Sequence, residues 1–472
     1  MRKLLTCILV GTSIAGQAQH YTAVESGCEF SVALRSDSTV WVWGYNANGQ
    51  LGDGTTDISI DTKKVDASRK WIAVAAGSFH RLGIAADSTL WACGLNGNGQ
   101  LGLLRTTDPN PMMTPIGSAH WKFVAGGMVN SAAIRTDGTL WVAGSNYFGL
   151  LGTGDTVGQD QFMQVGVDKD WKSVTVGFGH ILAIKNDGTL WGWGANSNGE
   201  LGLGFTSDVV WVPSRIGSDA DWLSASAGTS YSVAMKTDGS IYSVGINDLS
   251  QLGRSVTGNM DSSFVQIGTS KNWKIMSAGV SHAFAIDNSG ELFAWGANQY
   301  GQAGVTASHI ISNPTQIGSD TNWNVISASK GIAVQQLMSY GFSTGIKAPG
   351  KVICTAGANL IGQLGNGTAG GGQAYFDCIV GEIISKPTGV SSFSGDEIKI
   401  YPNPASTNIY LEDRSGNMRD ATIMNIQGQI LQKLSGNSSK IAFSIESLQP
   451  GIYIVRVEMK DGSMLVKKIQ KN

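Results

Sequence analysis

Residues 171–202 read Trp171-Lys172-Ser173-Val174-Thr175-Val176-Gly177, then Phe178-Gly179, His180-Ile181-Leu182-Ala183-Ile184-Lys185, Asn186-Asp187-Gly188, Thr189-Leu190-Trp191-Gly192-Trp193-Gly194 and Ala195-Asn196-Ser197-Asn198-Gly199-Glu200-Leu201-Gly202. The first run reads as a strand closed by glycine, and the run from His180 as a second, apolar strand. Asn186-Asp187-Gly188 is a hairpin turn, because Asp and Gly tolerate the positive φ that tight two-residue loops require. A third strand follows from Thr189 to Gly194. A fourth is expected near Gln164-Val165-Gly166, ahead of Trp171, with counterparts at Arg215-Ile216-Gly217, Gln266-Ile267-Gly268 and Gln316-Ile317-Gly318.

The unit recurs along the chain. Trp71, Trp121, Trp171, Trp222, Trp273 and Trp323 follow one another at intervals of about 50 residues, and Tyr21 precedes them by the same step. Gly44, Gly94, Gly144, Gly194, Gly245, Gly296 and Gly357 form a second ruler, and Asn46, Asn96, Asn146, Asn196, Asn247, Asn298 and Asn359 a third. All 14 tryptophans lie between positions 41 and 323, inside the repeats. Four strands in about 50 residues is the content of one propeller blade, and seven aromatic-led units predict a seven-bladed β-propeller over residues 19–385. The composition agrees. A hydrophobic share of 42% is too high for disorder, and ten prolines without a Gly-X-Y period exclude collagen.

The register suggests how the ring closes. Unit one opens at Tyr21 with no Gln-Ile-Gly-like segment before it, while Tyr375-Phe376-Asp377-Cys378-Ile379-Val380-Gly381 is one apolar segment in excess after unit seven. The expectation is that this last segment completes the first blade.

The pattern Gly-x-x-His, Asp-Gly-Thr-Leu-Trp and Trp-Gly-x-Asn-x-x-Gly-Gln-Leu-Gly resembles the repeats of the regulator of chromosome condensation family, best at residues 41–52, 87–102 and 187–202. The resemblance covers roughly residues 21–372 and implies a seven-bladed propeller with units of this length. It implies no single function, since members of that family serve nucleotide exchange on a small GTPase, chromatin binding, enzyme inhibition or adhesion. The exchange factors insert a wedge in one blade, for which the near-constant spacing of units two to six leaves no room.

Both ends read differently from the repeats. Arg2 and Lys3 precede a largely apolar stretch over residues 4–14, and Gly16-Gln17-Ala18 offers small residues for cleavage after Ala18, so residues 1–18 read as a signal peptide. Cys7 precedes most of the apolar run, which argues against lipidation there. No other stretch is long and apolar enough to span a membrane. Residues 386–395, Lys-Pro-Thr-Gly-Val-Ser-Ser-Phe-Ser-Gly, read as a linker. Residues 396–472 carry no Trp and no 50-residue period, and they begin with Ile398-Lys399-Ile400-Tyr401-Pro402-Asn403-Pro404. A hairpin is expected at Asn425-Ile426-Gln427-Gly428-Gln429, then a Pro450-Gly451-Ile452-Tyr453 turn into a β-prone strand and a Lys-rich end. These features resemble the type A C-terminal sorting domain of the type IX secretion system of Bacteroidetes. The resemblance implies a small β-sandwich, interaction with the type IX machinery through residues 396–472, and a secreted or outer-cell-surface location. An ordinary adhesive β-sandwich is the alternative.

Charge and cysteine narrow the partners. The whole chain carries −2, with pI near 6.3. Residues 396–472 hold 10 Lys and Arg against 8 Asp and Glu, and the remainder 23 against 27, so the propeller without Arg2 and Lys3 sits near −6. That is the wrong sign for a nucleic-acid partner. Without the signal four cysteines remain, Cys28, Cys93, Cys354 and Cys378. Three pairings are open to them, and Cys28 or Cys354 is the candidate partner of Cys378. No Cys-x-x-Cys spacing points to zinc.

Catalytic, cofactor and metal residues are not found by motif. His80, His180 and His282 recur at equivalent positions and read as blade-packing or backbone-bonding groups, and a Ser–His pair reads as coincidence among abundant serines. Asp37, Asp87, Asp137, Asp187, Asp238 and Asp287 read as turn formers, and the Asn series as loop ties. No phosphate-cradling loop or Gly-x-Ser-x-Gly elbow occurs. Unit seven loses its His and Asp-Gly-Thr-Leu-Trp signals, and residues 335–350 read as an enlarged loop. Individuality is therefore expected in the stretches after each Gln-Leu-Gly, at residues 106–113, 153–162, 205–211 and 254–264, which should crowd one rim of the ring. Trp211, an aromatic without counterparts, is the candidate partner-binding residue. The reading is a non-enzymatic, cofactor-free module that binds an extracellular protein or glycan. A secreted enzyme inhibitor and a polysaccharide-acting hydrolase or lyase are the alternatives.

Overall fold

Trp171–Val176, His180–Lys185, Leu190–Asn196 and Ser207–Arg215 pair in that order as one antiparallel sheet, and the same meander occurs seven times in the computed structural model. The structure describes residues 20–104, 109–306, 309–330, 341–348, 352–380, 398–402, 404–413, 418–424, 430–435, 440–460 and 464–471. The signal-peptide and linker segments, residues 335–340 and 349–350 of the stretch expected as an enlarged loop, and the hairpin tip at 425–429 lie outside these. Within that stretch Phe342–Lys347 is not loop but the second strand of blade seven, taking the place that the His-led strand holds in other blades. The chain divides between residues 381 and 382 into two compact units.

The blades of the first unit occupy residues 21–65, 71–115, 121–164, 171–215, 222–266, 273–316 and 323–380. Each is led from the inside by the aromatic of the 50-residue ruler. The chain is all-β among the described residues. A second regularity appears on every inner strand. Its pairing with the next strand skips one residue after the leading aromatic, as between Trp171 and Ser173 or Trp273 and Ile275, so Lys172 and Lys274 sit in β-bulges.

Ring closure differs from the expectation. Blade one is complete in itself, because Ser59–Val65 pairs with Val40–Gly44. Gly372–Val380, which contains the apolar segment from Tyr375, is the outer strand of blade seven and pairs with Val352–Ala358. The physical reason is ownership of the fourth strand. Each segment ahead of a ruler Trp hydrogen-bonds back to the third strand of the preceding unit, so unit one has no vacancy. The fourth strands also begin earlier than Gln-Ile-Gly, at Gln159 in blade three and Ser207 in blade four. The ring closes instead by side-to-side packing of blades one and seven. Ser26 N donates to Ser327 Oγ (3.0 Å), Lys330 N to Gly27 O (3.1 Å) and Trp43 Nε1 to Gln363 O (3.0 Å).

Glycine is required at the third-strand ruler. Gly194 has φ of 105°, and a Cβ there would stand 2.5 Å from Gly179 O and 2.8 Å from the His180 Cα. All seven members of that ruler have φ between 95° and 117°. Apolar cores lie between blades. One joins Leu182, Ile184, Leu201, Ile216 and Trp222 across blades four and five. Cys354 and Cys378 face each other across the two outermost strands of blade seven and form a disulfide, one of the two partners expected for Cys378. Cys28 and Cys93 are buried free thiols.

The second unit contains a three-stranded sheet, Ile398–Tyr401, Asn408–Asp413 and Lys440–Ser444. Its four-stranded sheet holds Met418–Met424, Ile430–Ser435, Gly451–Met459 and Met464–Lys471. Ile409, Leu411, Ile423, Phe443, Val455 and Ile469 are buried in one core between them, which makes a small β-sandwich. Tyr453 of the expected turn donates its hydroxyl to Gln449 O (2.7 Å).

Candidate binding surfaces

Every third strand runs into an Asn that ties its loop. Asn196 Oδ1 accepts from Leu201 N (3.2 Å), and Nδ2 donates to Phe205 O (2.9 Å). Asn46, Asn96, Asn146, Asn247, Asn298 and Asn359 make the same amide contact to the Leu or Ala five residues on. The Gln side chain of Gln-Leu-Gly closes the turn from within, as where Gln100 Oε1 accepts from Asn98 N (2.9 Å). Glu200 takes that place in blade four, accepting from Asn198 N at 2.8 Å, and burial raises its pKa.

The carbonyl of that same residue is then capped from the following blade. Trp43, Trp193 and Trp295 donate Nε1 to Gln363, Leu150 and Gln251 O at 2.9–3.0 Å. Ser131, Ser232 and Ser343 donate their hydroxyls to Gln100, Glu200 and Gln302 O at 2.6–2.8 Å. Cys93 Sγ approaches Gln50 O at 3.5 Å. The Gln-Leu-Gly loops are thus mortar between blades, and the segments beyond them are free to differ.

Part of each expected variable stretch is outer strand. Residues 110–113, 159–162, 207–211 and 260–264 belong to outer strands, leaving 153–158, 203–206 and 254–259 as the connections, while 106–108 lie outside the described residues. Trp211 lies within the outer strand of blade four, 36% exposed. Its carbonyl accepts from Gly154 N (3.1 Å), and its ring lies against Gly149 of blade three, so it straddles a blade junction.

The histidines are placed by one rule. His80, His180 and His282 are buried, and their Nε2 atoms lie 2.8–2.9 Å from Ser131, Ser232 and Ser343 Oγ of the next blade. Each serine already gives its only hydrogen to a main-chain carbonyl, so Nε2 must carry the proton and donate. These Ser–His pairs are therefore systematic rather than coincidental. They are also inert, because no base faces the hydroxyl hydrogen. Burial holds the imidazoles neutral, lowering the pKa of His80 to about 3 and those of His180 and His282 to about 4. The pairing was legible, since serine follows the His position of the previous unit by 51, 52 and 61 residues.

The aspartates are turn formers as expected. Asp187 Oδ1 accepts from Thr189 Oγ1 (2.7 Å) and N (3.0 Å), which lowers its pKa, and Trp191 Nε1 donates to Thr189 Oγ1 (3.0 Å). Beside them a cation lies against the blade aromatics. Lys185 Nζ lies 5.0 Å from Trp171 and 4.8 Å from Trp191, bonded to Asp168 (2.7 Å) and Asp170 (3.2 Å). Burial opposes its charge, and the bonds to Asp168 and Asp170 outweigh that and raise its pKa. Among the described residues no group of three His, Cys, Asp or Glu is placed to hold a metal.

Comparisons with known proteins agree with this geometry. A model of the regulator of chromosome condensation (RCC1) repeat matches residues 37–84, 187–235 and 289–332, and a second model of that repeat matches 21–50, 71–100, 171–200 and 273–302. The secretion system C-terminal sorting domain matches residues 399–472. Protein pim1 of Schizosaccharomyces pombe is 32% identical over 111 residues, 22% of this chain and 21% of pim1, so the chain spans about a fifth of that relative's length. Yeast RCC1 (Prp20), solved bound to Kap60, is similar with a TM-score of 0.65 at 15% identity, over 85% of this chain and 93% of that one. Human WBSCR16 is similar with a TM-score of 0.62 at 18% identity, over 72% and 93%. These structural likenesses show the fold. The chain carries RCC1 repeats folded as a propeller, followed by a sorting domain that marks it for export by the type IX system.

Proposed function

We propose that this exported RCC1-repeat propeller is a non-catalytic binding module for an extracellular protein or glycan, engaged through the rim that bears the Gln-Leu-Gly loops. One observation carries the reading. Asn ties and interblade caps fix the base of every rim loop, while the segments just beyond, 153–158, 203–206 and 254–259, share Thr156, Thr206 and Thr257 and the pair Gly154 and Gly204 and differ at their other positions. A rigid scaffold bearing unlike loops suits recognition, because little order is lost on binding. Trp211 is the proposed aromatic anchor at the edge of this rim.

The test is affinity capture from the native surroundings with the full chain, beside variants in which those three segments are replaced by Gly-Ser. The same partner should be captured by the parent and lost by the variants, at an unchanged melting temperature. Full capture by the triple-loop variant would sink the rim assignment. Identification of the partner as an enzyme that the chain blocks would favour the inhibitor reading, and turnover of a polysaccharide would favour the hydrolase or lyase. For export, a reporter fused ahead of residues 386–472 and behind a signal should leave a cell that has the type IX machinery. Periplasmic retention of the fusion, while the intact protein leaves, would reject that assignment.

A further inference from the structure

On the face opposite the Gln-Leu-Gly rim, the mouth of the central channel is ringed by the bulged second residues of the inner strands. In blade order these are Thr22, Ile72, Lys122, Lys172, Leu223, Lys274 and Asn324. The chain direction sets the face. Inner strands begin where the Asp-Gly turns lie, as the pairs Trp171–Lys185 and Ile184–Leu190 show, and end beside the third-strand glycines. At the far end the channel narrows between Gly127, Gly177, Gly228 and Gly279, with Met128, Phe178, Val280 and Lys330 leaving a cavity of about 10 Å³.

The unpaired charges of the inner strands are of one sign. The seven inner strands contain four ionisable acidic or basic side chains, Glu25, Lys122, Lys172 and Lys274. Glu25 is neutralised by Lys330 at 3.3 Å. Lys122, Lys172 and Lys274 have no ion-pair or hydrogen-bond partner among the described residues, whereas Lys185, Lys236, Lys271 and Lys347 of the same face are each paired with Asp. Because a bulged residue falls outside the alternation of its strand, it can be aimed away from the blade core.

Lys122 and Lys172 line a cavity of about 570 Å³ with Phe123, Ser173, Thr175, Asn186, Leu223 and Ser224, a size within the range of about 300–1,000 Å³ usual for small-ligand clefts. Two cations stand at one side, three hydroxyls and an amide along the wall, and Phe123 and Leu223 supply an apolar face. Thr175 Oγ1 accepts from Ala227 N (3.3 Å), and its own hydrogen remains available for donation. We infer that this mouth binds the end of an acidic saccharide, with the carboxylate held by Lys122 and Lys172, the ring hydroxyls by Ser173, Thr175 and Ser224, and the apolar ring face against Phe123. The site lies apart from the rim of the proposed function and is independent of it.

Calorimetric titration of the full chain with an oligogalacturonate trimer tests this, beside its neutral galactose counterpart, an aspartate-rich peptide and sulfate alone. The trimer should bind, weaken as salt rises, and outcompete the other three. Lys122→Gln/Lys172→Gln should weaken it by about tenfold or more, as loss of charge-assisted hydrogen bonds requires. Phe123→Ala should weaken the acidic trimer as well. The variant with its three rim segments replaced should bind the trimer normally, which separates this site from the rim. Absence of trimer binding, equal binding of the neutral trimer, the peptide or sulfate, or an unaltered affinity in the double variant would each overturn the assignment.

Discussion

The imidazole Nε2 of His180 donates to the Oγ of Ser232 at 2.8 Å, from one blade to the next across a buried interface. His80–Ser131 and His282–Ser343 repeat the contact, so three of the seven interfaces depend on a neutral histidine.

Acid should therefore loosen the ring, beginning as pH falls below about 6.5. The folded-state pKa values, about 3 for His80 and about 4 for His180 and His282, lie below the unfolded value near 6.5. The unfolded chain takes up protons first as pH falls, so the stabilisation present above about pH 6.5 is lost between there and about 4. Each histidine contributes up to about 1.4 kcal/mol per pH unit to this slope. Phe fills the same position in blades one and seven, as Phe30 and Phe342. His180→Phe should cost about 1 kcal/mol at pH 7.5 through the lost hydrogen bond and flatten the decline. Urea unfolding at pH 7.5 and 4.5 measures both, and an unchanged slope in the variant would count against the neutral-imidazole account.

The seam between blades one and seven should behave like any other interface. No strand is exchanged across it, and Trp43 caps Gln363 O as Trp193 caps Leu150 O, both at 3.0 Å and both fully buried. Trp43→Phe and Trp193→Phe should each cost about 2–3 kcal/mol, through the lost contacts and an uncapped buried carbonyl. Chemical denaturation of the two variants decides the point. A far larger loss for Trp43→Phe would mean that the seam carries the ring.

The disulfide should matter because the last blade ends the ring without a strand from elsewhere to hold it. Cys354 and Cys378 are 24 residues apart, and closing a loop of that size in the unfolded chain is worth about 3 kcal/mol. Reductant, or Cys354→Ser/Cys378→Ser, should lower the melting temperature. Cys28→Ser and Cys93→Ala should leave the response to reductant intact. A melting curve indifferent to reductant would mean that the outer strand is held by pairing and by Phe376, whose ring lies 5.0 Å from Trp323.

The repeat was legible because blade packing constrains the same few side chains each time. Trp171 fills an interblade core, Gly194 avoids a clash with His180, and Asn196 ties a loop, so each leaves a mark at a fixed interval. Closure was misread because a strand boundary carries no such mark. Nothing at Gln164 or Arg215 says whether the strand completes the unit behind it or opens the one ahead, and hydrogen bonding to the third strand settles it. The mouth lysines were missed for a related reason. Lys122, Lys172 and Lys274 alternate irregularly with Ile72, Leu223 and Asn324, and only the bulge makes the position common to all. Trp211 was found as an unshared aromatic, but its place on a strand rather than a loop depended on how far the outer strand of blade four extends.

The Asn ties give the last prediction, since they separate the stability of the rim from that of the blades. Asn196 Oδ1 accepts from the buried Leu201 N, and its Nδ2 donates to Phe205 O, so one side chain fixes both halves of the loop. Asn196→Ala removes the acceptor of a buried amide, a loss worth about 1–3 kcal/mol. Asn196→Asp keeps the acceptor but cannot donate to Phe205 O, so it frees the segment from 203 to 206 while the turn through Leu201 persists. The Ala variant should therefore lose global stability. The Asp variant should lose less and instead show faster amide exchange confined to the rim of blade four. If partner capture depends on a preorganised rim, the Asp variant should bind more weakly at nearly parental stability, with the deficit in the association rate as well as the lifetime. Equal exchange rates in the parent and Asp variants would show that the loop holds its shape without the tie.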